Sequence, residues 1–408
     1  LIHHAVTGRI RQHTRELTQR EKNKWSYLTA LRDTSNAFPS LSHASIESML
    51  KREETTNQEA NDQHTKTYQL VRHRYRHLNM SISTSQGQSV LLRPGCGGAQ
   101  GDVGMPLLFR QTYEPVLEAW MEARRDQLEG FIISRDPLTQ EMIDVSVTVY
   151  ADDVKEINMV QTAEEAIEVL THSTTLLNEG ILPLGLKHND HKAEHVPSFL
   201  GMGYEKHSKD FAAMVSEKEM GESKSVARYL GNYLAHDQST KITNQTRIYK
   251  GKEAFYGMGR LWKTQLELPI RRMIFKCYVV SALLSGLECE ALRHCDIQKL
   301  EVAQNGLLRR AMNGIFDTLV EGTMHQCSNE DLRRHTKVST VHSTLRSRRL
   351  KWLQCIIKYP EDNVQLRAAI AGKITTKQGE IDAPYYAWLD MIYDDAICLL
   401  EEGIAQSR

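Results

Sequence analysis

The sequence predicts an α+β fold: an antiparallel sheet with packed helices, followed by a mainly helical half. Three observations carry this. Val145, Val147 and Val149 alternate with Ser146, Thr148 and Tyr150, the period-2 pattern of a half-buried strand. The pattern breaks at Ala151-Asp152-Asp153 and resumes over 154–160, which reads as a hairpin with both aspartates at its tip. The run 25–31 is apolar, of strand length and ends near Asp33, while 163–177 carries apolar residues at 163, 166, 167, 170, 176 and 177, a helix made to pack on a sheet. From 241 onward helical periodicity dominates.

In chain order, residues 1–24 read as a polar helix rich in arginine (Arg9, Arg11, Arg15, Arg20). After the 25–31 strand, 33–43 leads into a helical pattern through Ile46, Met49 and Leu50, and 51–67 is polar. Residues 68–79 gather Arg72, His73, Arg74, Arg76 and His77 around Tyr75, either a nucleic-acid contact or a solvated helix face. Ile82 and 90–92 suggest a strand pair leading into a glycine-rich loop, which runs into an apolar helix at 107–121. Strand, helix, hairpin, helix and strand together give a sheet with helices layered on it. Segments 274–287, 300–312 and 345–357 continue the helical half, and no internal repeat or low-complexity tract interrupts it.

The chemistry centres on Asp152-Asp153. A tight two-residue turn prefers Asn-Gly or Asp-Gly, because its central residues need positive φ, so Asp-Asp is a poor choice on turn chemistry alone. Adjacent carboxylates also repel, and in a partly buried site one is pushed towards protonation unless a cation lies beside them. The plain reading is a solvated acidic turn. The sharper one is a divalent-metal site, which needs a third carboxylate and a nucleotide-handling loop. Asp33 at a strand end supplies the first, and the loop from Arg93 through Gly101 to Phe109 the second. Mg2+ is commonly held by one or two carboxylates together with substrate phosphates.

These pieces resemble the polymerase motifs of reverse transcriptases, most closely those of non-LTR (LINE-type) retrotransposons. Asp33 with Ala37-Phe38 is similar to motif A, Gln100-Gly101-Asp102 with 106–109 to motif B, and Tyr150-Ala-Asp-Asp153 to motif C. Gly185-Leu186, Asn189 and Lys192-Ala-Glu194 resemble motif D, and Arg228-Tyr-Leu-Gly231 the hairpin before the thumb. The resemblance implies a right-hand polymerase palm followed by a helical thumb and connection. It divides the chain into 1–226 (palm with partial fingers), 227–360 (basic helical thumb/connection) and 361–408 (acidic C-terminal helical tail). It implies an RNA-directed DNA polymerase using two Mg2+ ions, with Mn2+ an alternative, an RNA template, a DNA primer or target DNA, and dNTPs. No protein partner is required by it. Asp33 and Asp152 would bridge the metals and Asp153 would complete or orient the site. Phe38 takes the position of the aromatic gate against a ribose 2′-OH, Gln100 and Gly101 pack on the incoming nucleotide and template, and Lys192 serves the leaving pyrophosphate. The sequence departs from the family pattern at Arg32, directly before the first aspartate, at Pro39, and at Val103-Gly104-Met105. A catalytically inactive nucleic-acid-binding remnant and a group II intron maturase are the alternatives.

The chain has 51 Lys and Arg against 51 Asp and Glu, but they are segregated. Residues 31–220 hold 18 basic against 28 acidic, 221–360 hold 23 against 12, and 361–408 hold 4 against 9. An acidic half followed by a basic one suits metal binding beside phosphate-backbone contact. Arg271-Arg272, Arg309-Arg310 and Arg348-Arg349 are the expected nucleic-acid contacts. There is no 18-residue apolar run, so no membrane-spanning helix is expected. The seven cysteines lack a CxxC spacing, which suits reduced thiols in a cell interior, nucleus or cytoplasm. The start, Leu1-Ile-His-His, is neither a Met start nor a signal peptide and reads as that of a fragment or of an imperfect gene model.

Overall fold

The computed structural model describes residues 1–35, 37–56, 62–98, 104–128, 130–320 and 323–407. The expected α+β class holds: helices surround a five-stranded sheet, and helices make up most of the second half. The sheet order is Val147–Tyr150, Asp153–Met159, Tyr27–Arg32, Glu194–Ser198, Glu222–Ser223. All neighbours are antiparallel except the last pair.

The hairpin forms, with one correction. Tyr150 pairs with Asp153, so the turn consists of Ala151 and Asp152, and Asp153 is the first residue of the return strand. Ala151 takes φ +55°, a left-handed backbone at the position where a glycine would be at ease. The loop Leu230-Gly231 also has positive φ at both positions (47° and 84°) and closes the hairpin Val226–Tyr229 with Asn232–Ala235 in the geometry such turns favour.

Register decides which side chains share a face. Arg32 pairs with Val154 and Ala30 with Glu156, so Ala30, Arg32, Val154, Glu156 and Asn158 point to one side. Helices Met105–Gln127 and Ala163–Ile181 cover that side. The second helix starts where Thr162 accepts a hydrogen bond from the Glu165 amide at 3.2 Å. On the other side lie Thr29, Leu31, Asp153 and Lys155, capped by the 226–235 hairpin. With both faces covered, Tyr27–Arg32 is buried along its whole length.

The two ends of the chain depart from expectation. The N-terminal segment is not a polar surface helix. In Ile2–His13 every residue from Ala5 to Ile10 is buried, and a Cβ at Gly8 would run into the Tyr385 ring. Residues 361–408 hold the helices Val364–Ala371 and Tyr386–Ser407, but also a strand pair. Strands Lys373–Thr376 and Gly379–Ile381 extend Ile133–Arg135 and Met142–Asp144 into a four-stranded sheet. Val6, Ile10, Trp25, Tyr27, Ile132, Ile370, Ile374 and Trp388 share one core, so the first and last expected regions are packed together. The 226/227 boundary falls at the first residue of the Val226–Tyr229 strand rather than in a linker.

Arg9 ties the ends together. It is fully buried and donates to the main-chain oxygens of Ala383 (2.8 Å), Ala369 (3.0 Å) and Ile381 (3.1 Å), and to that of Gly372. Ala369 lies in the last turn of a helix, Val364–Ala371, whose last carbonyls have no partner within the helix. A planar guanidinium satisfies several of them at once.

Candidate active site

Asp33 follows the last residue of its strand, and its loop is tied to the segment 187–189. The Ser35 amide donates to the Lys187 oxygen at 2.9 Å, the Asn189 amide to the Asp33 oxygen at 3.0 Å, and Thr34 bridges His188. Lys192, in the short turn Asp190–Lys192, places Nζ 3.4 Å from Asp33 Oδ2. Asp33 and Asp153 line one open pocket of about 460 Å³ together with Lys192, Glu194, Lys224, Arg228 and Tyr229. Asp152 stands in the adjoining turn, its main-chain oxygen 3.5 Å from Thr34 Oγ1.

Asp152 and Asp153 titrate above the ordinary carboxylate range. For Asp152 burial is the main cause and the charge of Asp33 adds to it, against a lowering bond to its own backbone. For Asp153 burial leads, followed by the charges of Asp152 and Asp33. The carboxylates thus oppose one another, and the cation beside Asp33, Lys192, has a side chain 69% exposed to screening solvent. Such oxygen donors fit a hard divalent ion. Among the described residues no three His, Cys, Asp or Glu side chains form a ready metal-binding group, so water and substrate oxygens would have to complete the coordination.

A carboxylate with a raised folded pKa destabilises the fold when ionised, and the penalty is relieved as pH falls through that pKa. Ionised Asp152 and Asp153 therefore cost the metal-free protein stability that returns only as pH falls through their raised pKa values. Protonating the buried neutral His188 and His195 works against this, so the contribution is read as the difference in pH profile between the wild type and Asp153→Asn. Mg2+ at about 100 times its dissociation constant should add about 2.7 kcal/mol at neutral pH. Asp153→Asn should stabilise the metal-free protein and diminish the Mg2+ gain. Thermal unfolding with and without Mg2+ checks this; no metal-dependent shift would count against the site.

No family model matches the chain, and no curated protein matches its sequence. Solved structures similar to it include telomerases. One is apo telomerase from Candida tropicalis, at TM-score 0.41 and 9% identity over 97% of this chain and 53% of that one. Another is telomerase from Candida albicans in complex with a TWJ fragment of telomeric RNA, at TM-score 0.40 and 9% identity over 82% and 54%. The chain spans about half the length of these telomerases. Likeness this distant decides no function.

The remaining expected site residues divide. Phe38 is half-buried in the short helix Ala37–Ser40, its ring centroid 4.8 Å from that of Phe109. Gln100 and Gly101 lie outside the described residues. Of the basic pairs, Arg271 and Arg349 require correction. Arg271 is buried and donates to the oxygens of Ala311 and Thr264, both at 2.7 Å. Arg349 is buried and pairs with Asp395 at 2.6 and 2.9 Å. Consecutive helical positions point about 100° apart, so in a basic pair on a packed helix one member turns inward. Arg309 and Arg348 are half-buried on the carbonyls of Cys327 (2.9 Å) and Leu284 (2.7 Å). Arg272 is half-buried, and Arg310 is exposed with its guanidinium on the Tyr256 hydroxyl. Trp352 packs edge-on to Trp388 at 6.1 Å, in the core rather than at a surface.

Sequence reasoning gave Lys155 no role. It is buried on the face that carries Asp153, with Nζ 5.7 Å from the Tyr229 ring centroid, and burial lowers its pKa to about 7. On the opposite face Glu156 is wholly buried. Burial would raise its pKa, but the charges of Arg32 and Arg124 outweigh that and hold it at about 2. The signal was the run Lys155-Glu156, two adjacent charges flanked by Val154 and Ile157 inside a strand.

Proposed function

We propose that the chain is the polymerase part of an RNA-directed DNA polymerase of the non-LTR retrotransposon type. The observation that carries this is the pocket shared by Asp33, Asp153 and Lys192, drawn from three separate stretches of sequence, with Asp152 in the turn beside it. Asp33, Asp152 and Asp153 would hold two Mg2+ ions, or Mn2+ in their place. Bound there, such ions lower the pKa of an attacking hydroxyl and offset charge on the leaving oxygen. The chain's own side chains do the rest. Lys192, already at Asp33, is placed to give a proton or a positive charge to the leaving pyrophosphate. Phe38, packed against Phe109, would on this reading meet the sugar of an incoming nucleotide. Exposed Tyr249, Lys252 and Tyr256 share one face of helix Lys241–Gly257, a surface suited to sugar and phosphate contact without sequence preference.

Primer extension on poly(rA)/oligo(dT) tests the reading. Incorporation of dTTP that depends on Mg2+ or Mn2+ supports it. Tight primer–template binding without any incorporation would favour an inactive binding remnant instead. In an active preparation Phe38→Ala should raise ribonucleotide use relative to deoxyribonucleotide use by about tenfold or more, the scale of discrimination a steric contact supplies. An unchanged ratio would return Phe38 to a packing role.

A further inference from the structure

Behind the aspartates, on the helix-covered face of the sheet, lies a buried group of charges that the proposed chemistry does not use. Glu156 is wholly buried; it pairs with Arg32, lies 3.1 Å from Arg124 Nε and accepts from Ser173 Oγ at 2.8 Å. Arg32 Nη2 donates to Thr174 Oγ1 at 2.9 Å. Arg124 Nη2 donates to Asn158 Oδ1 at 2.8 Å, and its guanidinium lies 5.0 Å from the Trp120 ring. We infer that Arg32, Glu156 and Arg124 form a clamp that sets the register of the two strands carrying Asp33 and Asp153. They are positioning residues for the metal site, and their catalytic meaning rests on the polymerase reading above.

Stability alone does not account for the group. A buried Arg–Glu–Arg set is often replaced by apolar side chains of similar volume with no loss, because desolvating the charges offsets their attraction. Ala30, Val154 and Leu170 on this face are apolar, while Ser173, Thr174 and Asn158 supply the group's polar partners. What charges add is direction. A strand that slips by one residue turns every side chain to the other face. Here such a slip would put Glu156 on the side of Lys155, leave Arg32 buried without its carboxylate and leave Arg124 with only Asp144, at 3.9 Å. A slip of two keeps the face but moves Glu156 away from Ser173. The carboxylate is held from three elements at once: strand Tyr27–Arg32, helix Met105–Gln127 and helix Ala163–Ile181. Only the observed register satisfies all three. Asp33 follows Arg32 directly, and Asp153 lies three residues before Glu156 on the same strand. Fixing Arg32 against Glu156 therefore fixes the two carboxylates relative to each other. It also gives a reason for the arginine that stands before the first aspartate.

The test compares the wild type with the triple variant Arg32→Met/Glu156→Met/Arg124→Met. Two readouts are taken: Mn2+ binding by electron paramagnetic resonance, without nucleic acid, and amide hydrogen exchange along 28–31 and 154–157. The expected result is a folded variant with a similar melting temperature, a Mn2+ dissociation constant at least ten times higher, and faster exchange at those amides. A folded variant with unchanged Mn2+ affinity overturns the inference. If the triple variant does not fold, Glu156→Gln carries the same test, since it keeps the side chain's size; an unchanged Mn2+ affinity there overturns it equally. If the wild type shows no Mn2+ binding that Asp153→Asn removes, the polymerase reading fails. The exchange readout then decides the clamp by itself, unchanged protection counting against it.

Discussion

Primer extension by Asp152→Asn is expected to fall about 1,000-fold or more, with primer–template affinity changed by less than about twofold. The rate estimate is the scale lost when one preorganised electrostatic contact to a transition state is removed. Asn keeps the shape of Asp and suits a turn, so the hairpin should survive the change. It also removes one of the charges that raise the pKa of Asp153, so the variant should be at least as stable as the wild type. Binding should be spared because duplex affinity comes chiefly from phosphate contacts, which on the proposed reading would fall to exposed basic side chains rather than to the acidic turn. Single-turnover extension, with binding measured separately by fluorescence anisotropy, separates the two quantities. Extension within about tenfold of the wild type would remove Asp152 from the catalytic set.

Arg9→Ala should destabilise the protein by about 4 kcal/mol, the largest stability effect expected of any single side chain here. The change leaves the main-chain oxygens of Ala369, Gly372, Ile381 and Ala383 buried and short of their donor. Each unsatisfied buried polar group costs about 1–3 kcal/mol. Arg9→Lys should recover little, because one ammonium cannot span oxygens that a planar fork reaches together. Urea unfolding measures both variants. A loss under about 1 kcal/mol for Arg9→Ala would mean that water reaches these carbonyls and that apolar packing alone docks the C-terminal segment.

The positions of Lys155 and Arg271 show why part of this molecule could be read from sequence and part could not. The hairpin around Asp152, the strand ending near Asp33 and the helix beginning at Ala163 follow from local rules. Alternating valines mark one face of a strand, a polar pair breaks the alternation, and Thr162 caps the first turn of the helix. Those rules act within a few residues, so the sequence by itself determined these elements and the fold class. That Asp33 and Asp153 line one pocket was also foreshadowed by the order of the motifs. Some of the C-terminal strand pair was present too, in Ile374 and Ile381 on either side of Gly379.

Only the tertiary structure decided what the charged residues do. Arg9, Arg271 and Arg349 look in sequence like solvated or phosphate-binding side chains, yet each is buried against partners far along the chain: Ala383, Ala311 and Asp395. Glu156 is likewise paired with an arginine 124 positions away. No periodicity encodes such pairings. A guanidinium has the same local preference whether its partner is water or a distant carbonyl, and the choice is made only when packing removes the water.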